Sequence, residues 1–169
     1  MGPVRAEVEL DASRERAFGF VRDLANRPAF TDHFIDEFRL LRSETTGVGA
    51  GARFRLVPAG IWMDTSIVGE EHPHTILERG HGGRGNRTPV TTAWELVTGP
   101  GSLTTVRVRF WTAPAHSTDR VRELLGASSA RCSRGWATAL QRLRELLESE
   151  APVVPRAVVA GGSRYPTDL

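Results

Sequence analysis

His33 and Cys132 are the first candidates for moving a proton or attacking a substrate. Histidine titrates near neutral pH, so His33, which follows a predicted short helix, is a candidate general acid or base, although an exposed or capping role is favoured there. Cys132 could act as a nucleophile only if a histidine or a positive helix end stabilised its thiolate. It lies in the middle of a long predicted helix with no histidine near it in the sequence, so we predict an inert buried thiol.

A histidine-containing turn and a glycine-rich segment do not predict a metal or cofactor site. His72 and His74 flank a proline with no carboxylate at a familiar ligand spacing, so we expect solvated histidines of a turn and no metal. Residues 80–85 have the spacing G-x-G-x-x-G. A nucleotide motif needs a helix after it, and here the pattern predicts another strand. We therefore expect a hairpin loop and no cofactor.

Alternation along the predicted strands decides which polar side chains can reach an interior ligand. Thr65 faces inward with Met63, whereas Asp64 faces outward with Trp62. The inward positions identified in this way carry hydroxyls, a thiol, aromatic groups and aliphatic groups, but no carboxylate. The predicted ligand-binding residues are Phe54, Met63, Thr65, Thr92, Trp94, Phe110, Leu125, Ser128 and Cys132.

A long C-terminal helix is expected to position part of this set. Residues 115–149 contain no proline, and their apolar side chains recur at steps of three and four. The spacing predicts one helix over residues 117–149, with Leu125, Cys132, Trp136 and Leu143 facing inward. Because residues 126–132 are small and lie opposite large apolar side chains of the strands, we expect a cavity beside them.

Strand patterns surround two short helical segments that precede this helix. Alternation over Val4–Leu10 predicts a first strand, and helical patterns follow over residues 13–26 and 29–34. About six more strands, separated by glycine- and proline-bearing turns, occupy residues 35–112. The order predicts an α+β fold, in which a curved antiparallel sheet of six to seven strands wraps around the long C-terminal helix.

Length and charge limit the remaining possibilities. We expect residues 1–150 to form a single domain and residues 151–169, which contain prolines and glycines, to be mobile or to lie on the surface. The 22 basic residues are all arginine, and they alternate with acids to a net charge of +2, so no nucleic-acid surface is predicted. No apolar run is long enough for a membrane span, and we expect a cytoplasmic protein. The oligomeric state is not readable from the sequence.

Several short motifs follow one another in a particular order along the chain. They are residues 8–13 (VELDAS), residues 21–24 (VRDL) before Pro28 and Phe30, residues 47–49 (GVG), residues 70–77 (EEHPHTIL), and residues 94–96 (WEL) followed by 104–106 (TTV). This order resembles the helix-grip superfamily that includes START-like lipid carriers, polyketide cyclase/dehydrase-like proteins and birch-pollen-allergen-like proteins. Phe30 departs from the pattern, because many relatives have tryptophan there. The resemblance implies a pocket for an apolar or polycyclic ligand between the sheet and the long helix.

Three functions are compatible with these patterns. The leading hypothesis is a protein that binds a hydrophobic, lipid- or polyketide-like small molecule, oriented by one or two hydroxyls. The alternative is a polyketide cyclase/dehydrase-type enzyme, for which His33 is the one acid or base candidate. A third is a protein-interaction module, which the predicted outward positions of Trp62 and Trp111 favour.

Overall fold

The computed structural model describes residues 1–99, 101, 103–114, 128–149 and 157–159. The chain opens with strand β1 (Val4–Leu10), helix α1 (Arg14–Arg22), a 3₁₀ turn (Leu24–Asn26) and helix α2 (Arg27–Thr31). The Ser13 hydroxyl accepts a hydrogen bond from the Arg16 backbone N–H and so caps α1.

Seven antiparallel strands form one curled sheet, as the alternating patterns predicted. The strands after β1 are β2 (Ile35–Leu40), β3 (Gly51–Leu56), β4 (Ile61–Glu71), β5 (Thr75–Gly82), β6 (Thr88–Thr98) and β7 (Thr104–Thr112). Their order across the sheet is β1-β7-β6-β5-β4-β3-β2, so the last strand of the series pairs with the first.

One face of the sheet is apolar and covered, and the other is exposed and charged. On β4, Met63, Thr65 and Ile67 are buried, whereas Trp62 is 44% exposed. Residues 80–85, which carry the G-x-G-x-x-G spacing, end β5 and lead through a short 3₁₀ turn into β6. The predicted hairpin is therefore confirmed.

Helix α3, whose described part is Ser128–Glu148, packs against the sheet beside β1. Its buried side chains include Cys132, Trp136 and Leu143, as the helical spacing predicted. Leu125 and the rest of residues 117–127 lie outside the described residues. They include residues 126 and 127 of the segment 126–132 beside which a cavity was expected, and none of the described residues of that segment lines the cavity found below.

Gly135 allows α3 to approach the α2–β2 junction closely. A Cβ atom at this position would lie 2.6 Å from the Phe34 ring, well inside a normal contact. With no side chain at Gly135, the Phe34 ring packs edge-on against Trp136, with the ring centroids 5.2 Å apart. Gly135 thus allows α3 to pack closely against the residue that precedes β2.

The edge of the sheet at β2 differs from the regular strand that the sequence suggested. Glu37 has a positive φ of 52°, and the register with β3 shifts between Asp36 and Arg39. Beyond this strand, β8 (Val158–Val159) pairs with β2 in parallel, so these two residues of the predicted tail lie on the sheet edge. None of the helices within the described ranges combines the length and apolar character needed to cross a membrane.

Candidate functional site

A small cavity lies between the concave face of the sheet, the α2 region and α3. Its free volume is about 10 Å³, close to the space that one water molecule requires. The walls are mostly apolar but include two charged groups and two hydroxyls. The lining residues are Leu24, Arg27, Ile35, Phe38, Ala52, Phe54, Thr65, Glu78, Thr92 and Trp136.

A buried ion pair forms the polar part of this wall. Arg27 and Glu78 are each only 4% exposed, and an Arg27 terminal nitrogen donates to Glu78 Oε1 at 2.7 Å. The same carboxylate oxygen accepts a hydrogen bond from Trp94 Nε1 at 2.9 Å. Arg27 also donates to the Val21 carbonyl at 3.3 Å. The carboxylate is therefore held by two N–H donors inside an apolar core.

Aromatic rings surround the Arg27 guanidinium. Its central carbon lies 4.7 Å from the centroid of the Trp94 ring and 5.8 Å from that of Phe30. Rings at these distances stabilise a desolvated cation through their electron-rich faces. Burying two charges is costly unless hydrogen bonds and close pairing compensate, and both kinds of contact are present here. These contacts therefore compensate for the burial of both charges and fix the position of the ion pair in the core.

The expectation that no carboxylate faces inward is wrong, because Glu78 does. Antiparallel partners share a face, and Glu78 lies opposite Thr92 on β6 and Ile67 on β4, both of them inward. The pairing of β5 with its neighbouring strands shows that Glu78 faces inward. The sequence of β5 alone does not show this, because the adjacent residues Ile76 and Leu77 place apolar side chains on both faces.

Two residues that line the cavity also carry a buried N–H group without an acceptor. Trp136 Nε1 and Arg27 Nε are buried and have no hydrogen-bond partner among the described residues. The Trp136 side chain is 2% exposed and contacts the rings of Trp94 and Phe110. Buried donors are nearly always paired in proteins. Arg14 Nε and Arg22 Nε, outside the cavity lining, are unpaired in the same way.

The structure brings together only part of the predicted ligand-binding set. Phe54, Thr65 and Thr92 line the cavity, and Trp94 reaches it through the bond to Glu78. The three residues buried elsewhere in the core, outside this lining, are Met63, Phe110 and Cys132. Leu125 and the side chain of Ser128 lie outside the described part of the chain.

Cys132 has the environment of an inert thiol. It is fully buried, and burial raises the pKa of the Cys132 thiol to about 11. The nearby positive charge of Arg131 acts in the opposite direction and is the smaller effect. A thiol with such a high pKa is almost wholly protonated near neutral pH, so it is a poor nucleophile.

His33 lies outside the cavity, at the surface where α2 meets α3. Its Nε2 lies 3.0 Å from the Gly135 carbonyl oxygen, which can only accept, so Nε2 carries the proton. The ring also contacts Phe34, with the centroids 4.9 Å apart. These contacts join the two helices and offer no support for a role in proton transfer inside the cavity.

The outer face of the sheet carries arginine–carboxylate pairs. Arg53 makes two hydrogen bonds to Asp64 at 2.6 and 2.7 Å, and Arg55 binds Asp36 in the same two-pronged way. Trp62, exposed on this face, borders a shallow groove with Arg53 and Asp64. Among the residues that the structure describes, no cluster of three or more His, Cys, Asp or Glu could hold a metal.

Solved structures resemble this architecture over most of the chain. KanY aligns with a TM-score of 0.67 at 16% identity, covering 88% of this chain and all of its own. A START superfamily protein from Mycobacterium smegmatis aligns with a TM-score of 0.56 at 15% identity, covering 85% of this chain and 99% of its own. This chain has the START-like helix-grip fold.

A third match extends the comparison to a longer protein. DynU16, from the dynemicin biosynthetic locus, aligns with a TM-score of 0.60 at 22% identity, covering 90% of this chain but 49% of DynU16. No protein-family model matches the sequence, and neither does any curated protein. At these identities the likeness concerns the START-like fold alone.

Proposed function

We propose that this START-like chain binds a mostly apolar small molecule between the concave face of the sheet and α3. The observation that carries the proposal is the hydrogen-bonding wall of Arg27, Glu78, Thr65 and Thr92 beside a cavity inside an apolar core. An interior that served packing alone would gain little from the ion pair, because apolar residues of similar volume in its place are often at least as stabilising. A few convergent polar groups in an apolar pocket are typical of ligand sites.

Binding requires the cavity to widen, because about 10 Å³ holds no more than a water molecule. Phe38 is the one lining residue that is partly exposed, whereas the other nine are buried. It lies on β2, next to Glu37 with its positive φ, and stacks on Phe54 with the centroids 5.9 Å apart. Phe38 is therefore the lining residue whose displacement would open the polar wall to solvent.

Saturable uptake of a neutral apolar fluorophore, N-phenyl-1-naphthylamine, tests the proposal. We expect one site, with enhanced emission on binding, in the wild-type protein. Ala52→Leu places extra volume in the cavity wall and should weaken uptake at least tenfold. The control is Ala93→Leu, the same change on the outer face of β6, which should bind as the wild type does. Absence of saturable uptake by the wild type, or equal uptake by both variants, would contradict the proposal.

Native mass spectrometry of freshly purified protein provides a second, independent measurement. A retained lipophilic mass that dissociates on mild activation is the expected result. Its loss in Ala52→Leu and retention in Ala93→Leu would locate the bound molecule in the cavity.

Glu78 favours a second candidate, an enzyme of the cyclase/dehydrase type. A buried carboxylate that lines a cavity can accept a proton from a carbon acid or a hydroxyl held beside it. In this mechanism Arg27 and Trp94 orient the carboxylate, and Thr65 and Thr92 orient the substrate. Once a ligand is known, Glu78→Gln separates the two functions. A hundredfold loss of turnover with unchanged affinity supports the enzyme, and binding without product in either protein supports the carrier.

A further inference from the structure

A bulge in β2 positions Phe38, the partly exposed residue of the cavity lining. The register with β3 shifts here, so that Glu37 and Phe38 together lie opposite Phe54 alone. A bulge of this kind interrupts the ladder of backbone hydrogen bonds between two strands. The backbone of the bulge is therefore held by its neighbours, Asp36 and Arg39, which have regular partners on β3.

Glu37 adopts a backbone conformation that needs this support. Its φ of 52° is in the left-handed region, which residues other than glycine rarely occupy. Such conformations persist only where the surrounding structure holds them in place. Arg39 provides part of that support, because its Nη2 also donates to Glu37 Oε2 at 3.1 Å. Loosening Arg39 would therefore let the backbone of the bulge relax.

Strand β8 pairs with β2 immediately beyond the bulge. Its two residues, Val158 and Val159, lie in parallel register with Arg39 and Leu40. Arg39 is thus held between β3 on one side and the C-terminal segment on the other. Ala157, just before β8, is partly buried against the core. Two residues of parallel pairing form few hydrogen bonds, each with a small net stabilisation, so β8 can dissociate while the rest of the sheet stays folded.

We propose that β8 is a strap that holds the bulge of β2 in place and so controls access to the cavity past Phe38. The inference rests on the proposed binding function and adds its regulation. With β8 paired, Arg39 is fixed on both sides, and the Phe38 ring stays stacked on Phe54 with the centroids 5.9 Å apart. With β8 released, β2 is an edge strand that bends outward at its bulge, and the ring moves with the backbone. A ligand then enters and leaves faster, while its contacts inside the cavity stay the same.

Proline and alanine variants of the whole chain test the strap. Val158→Pro combined with Val159→Pro removes both backbone N–H groups of β8. Val158→Ala combined with Val159→Ala keeps them and is the matched control. Stopped-flow fluorescence measures the association and dissociation rate constants of N-phenyl-1-naphthylamine. We expect the proline variant to raise both by about fivefold or more over the alanine variant, because each backbone hydrogen bond contributes a factor of about two to ten to an equilibrium. The dissociation constant should change far less.

A reversible cross-link tests the opposite direction within one protein. Arg39 and Val158 are register partners, and neighbouring strands lie about 5 Å apart, within the span of a disulfide. Arg39→Cys combined with Val158→Cys should slow uptake and release several-fold when oxidised, and dithiothreitol should restore the faster rates. Cys132→Ala in the same chain prevents exchange with the buried thiol. Dithiothreitol should change neither rate in the wild type. This comparison remains decisive if the proline variant does not fold.

Hydrogen exchange of the β2 backbone amides reports on the strap without any ligand. Exchange should be faster in the proline variant than in the alanine variant, since local opening exposes these amides. If the wild type shows no saturable uptake of the fluorophore, the proposed binding function fails, and the control of access fails with it. If uptake is saturable, but its rates and the exchange of β2 are the same in both variants and in the oxidised and reduced cross-link, the strap inference alone is overturned.

Discussion

Arg27 and Glu78 hold two full charges in the interior, and each is tolerated because the other is present. Removing one partner leaves an uncompensated buried charge, which typically costs 3–5 kcal/mol. We therefore expect Glu78→Gln to lower the free energy of unfolding by about 3 kcal/mol or more. The glutamine still offers an oxygen to Trp94 Nε1, so the loss reports the unpaired Arg27.

A double-mutant cycle measured by urea denaturation checks this account. Arg27→Met combined with Glu78→Gln removes both charges and should cost at least about 2 kcal/mol less than the sum of the single variants. Arg53→Met breaks the exposed pair with Asp64 and serves as the control, with a much smaller cost because solvent screens that pair. Additive single effects at Arg27 and Glu78 would mean that the pair is not coupled.

Burial of Cys132 predicts how stability depends on pH in the alkaline range. The pKa of this thiol rises from 9.0 to about 11 on folding, so between these values the unfolded chain loses its proton first. The unfolded state then binds fewer protons than the native state, and the free energy of unfolding falls as pH increases from about 9 to 11. Cys132→Ala should remove this part of the slope in urea titrations across that range.

The reactivity of the same thiol gives a simpler measurement. Iodoacetamide should modify Cys132 in the native protein far more slowly at pH 8 than it modifies the urea-unfolded chain, because the reacting thiolate is scarce and shielded. Equal rates in the two states would show that the side chain is accessible.

At the scale of elements, the contact between α3 and the α2–β2 junction depends on the missing side chain of Gly135. Gly135→Ala gains helix propensity of about 1 kcal/mol but forces a methyl group against the Phe34 ring, and overpacking costs typically 1–3 kcal/mol. We expect net destabilisation, because the contacted atoms include Phe34 Cβ, which cannot move without the backbone.

Gly19 in α1 provides the matched control, because a Cβ there meets nothing within 4 Å. Gly19→Ala should stabilise the protein by about 0.5–1 kcal/mol through the same change in propensity. Thermal or urea unfolding of the two variants compares them directly. A stabilised Gly135→Ala protein would show that the junction between the helices adjusts freely.

Element order and most inward faces were predictable because alternation is unambiguous on β4, β6 and β7. Each of these strands places apolar or hydroxyl side chains on the inner face of the sheet and charged or half-exposed side chains on the outer face, as with Thr65 and Asp64. The hydroxyls of the cavity were therefore found. The pairing of β2 was not predictable from alternation, because the irregular backbone at Glu37 shifts the register of β2 with β3.

The ion pair could not be predicted from the sequence in the same way. Charged residues count toward the outer face in any hydropathy pattern, and Glu78 is followed by the exposed Arg79. Its partner, Arg27, lies 51 residues away, so the pairing exists only after α2 and β5 meet. Long-range pairing of buried charges is a property of the tertiary structure that local periodicity does not contain.

For the whole molecule, the charged outer face governs behaviour in acid. Hydrogen bonds from Arg55 lower the pKa of Asp36, and hydrogen bonds from Arg53 lower the pKa of Asp64. A carboxyl group with a lowered native pKa stabilises the fold above its unfolded pKa, near 4, and loses that contribution as pH falls through the native value. We expect the free energy of unfolding to decrease below about pH 4.

Salt and a double variant test this origin of acid sensitivity. Each pair is exposed and contributes little on its own. The dependence should flatten in 1 M NaCl, because the screening length shrinks to about 3 Å. Asp36→Asn combined with Asp64→Asn should flatten it at low salt as well. An unchanged acid slope in this variant would assign the effect to other carboxylates.

The adjacency of Trp94 and Trp136 has an optical consequence. The ring centroids are 5.5 Å apart and the ring planes meet at 78°. Two indole chromophores at this separation and fixed angle couple their ultraviolet transitions, which produces a pair of circular-dichroism bands of opposite sign. Trp136 also lines the cavity, so an occupant that tilts its ring changes the intensity of both bands. The unlabelled chain therefore carries its own chiroptical signal of whether its interior is empty or filled.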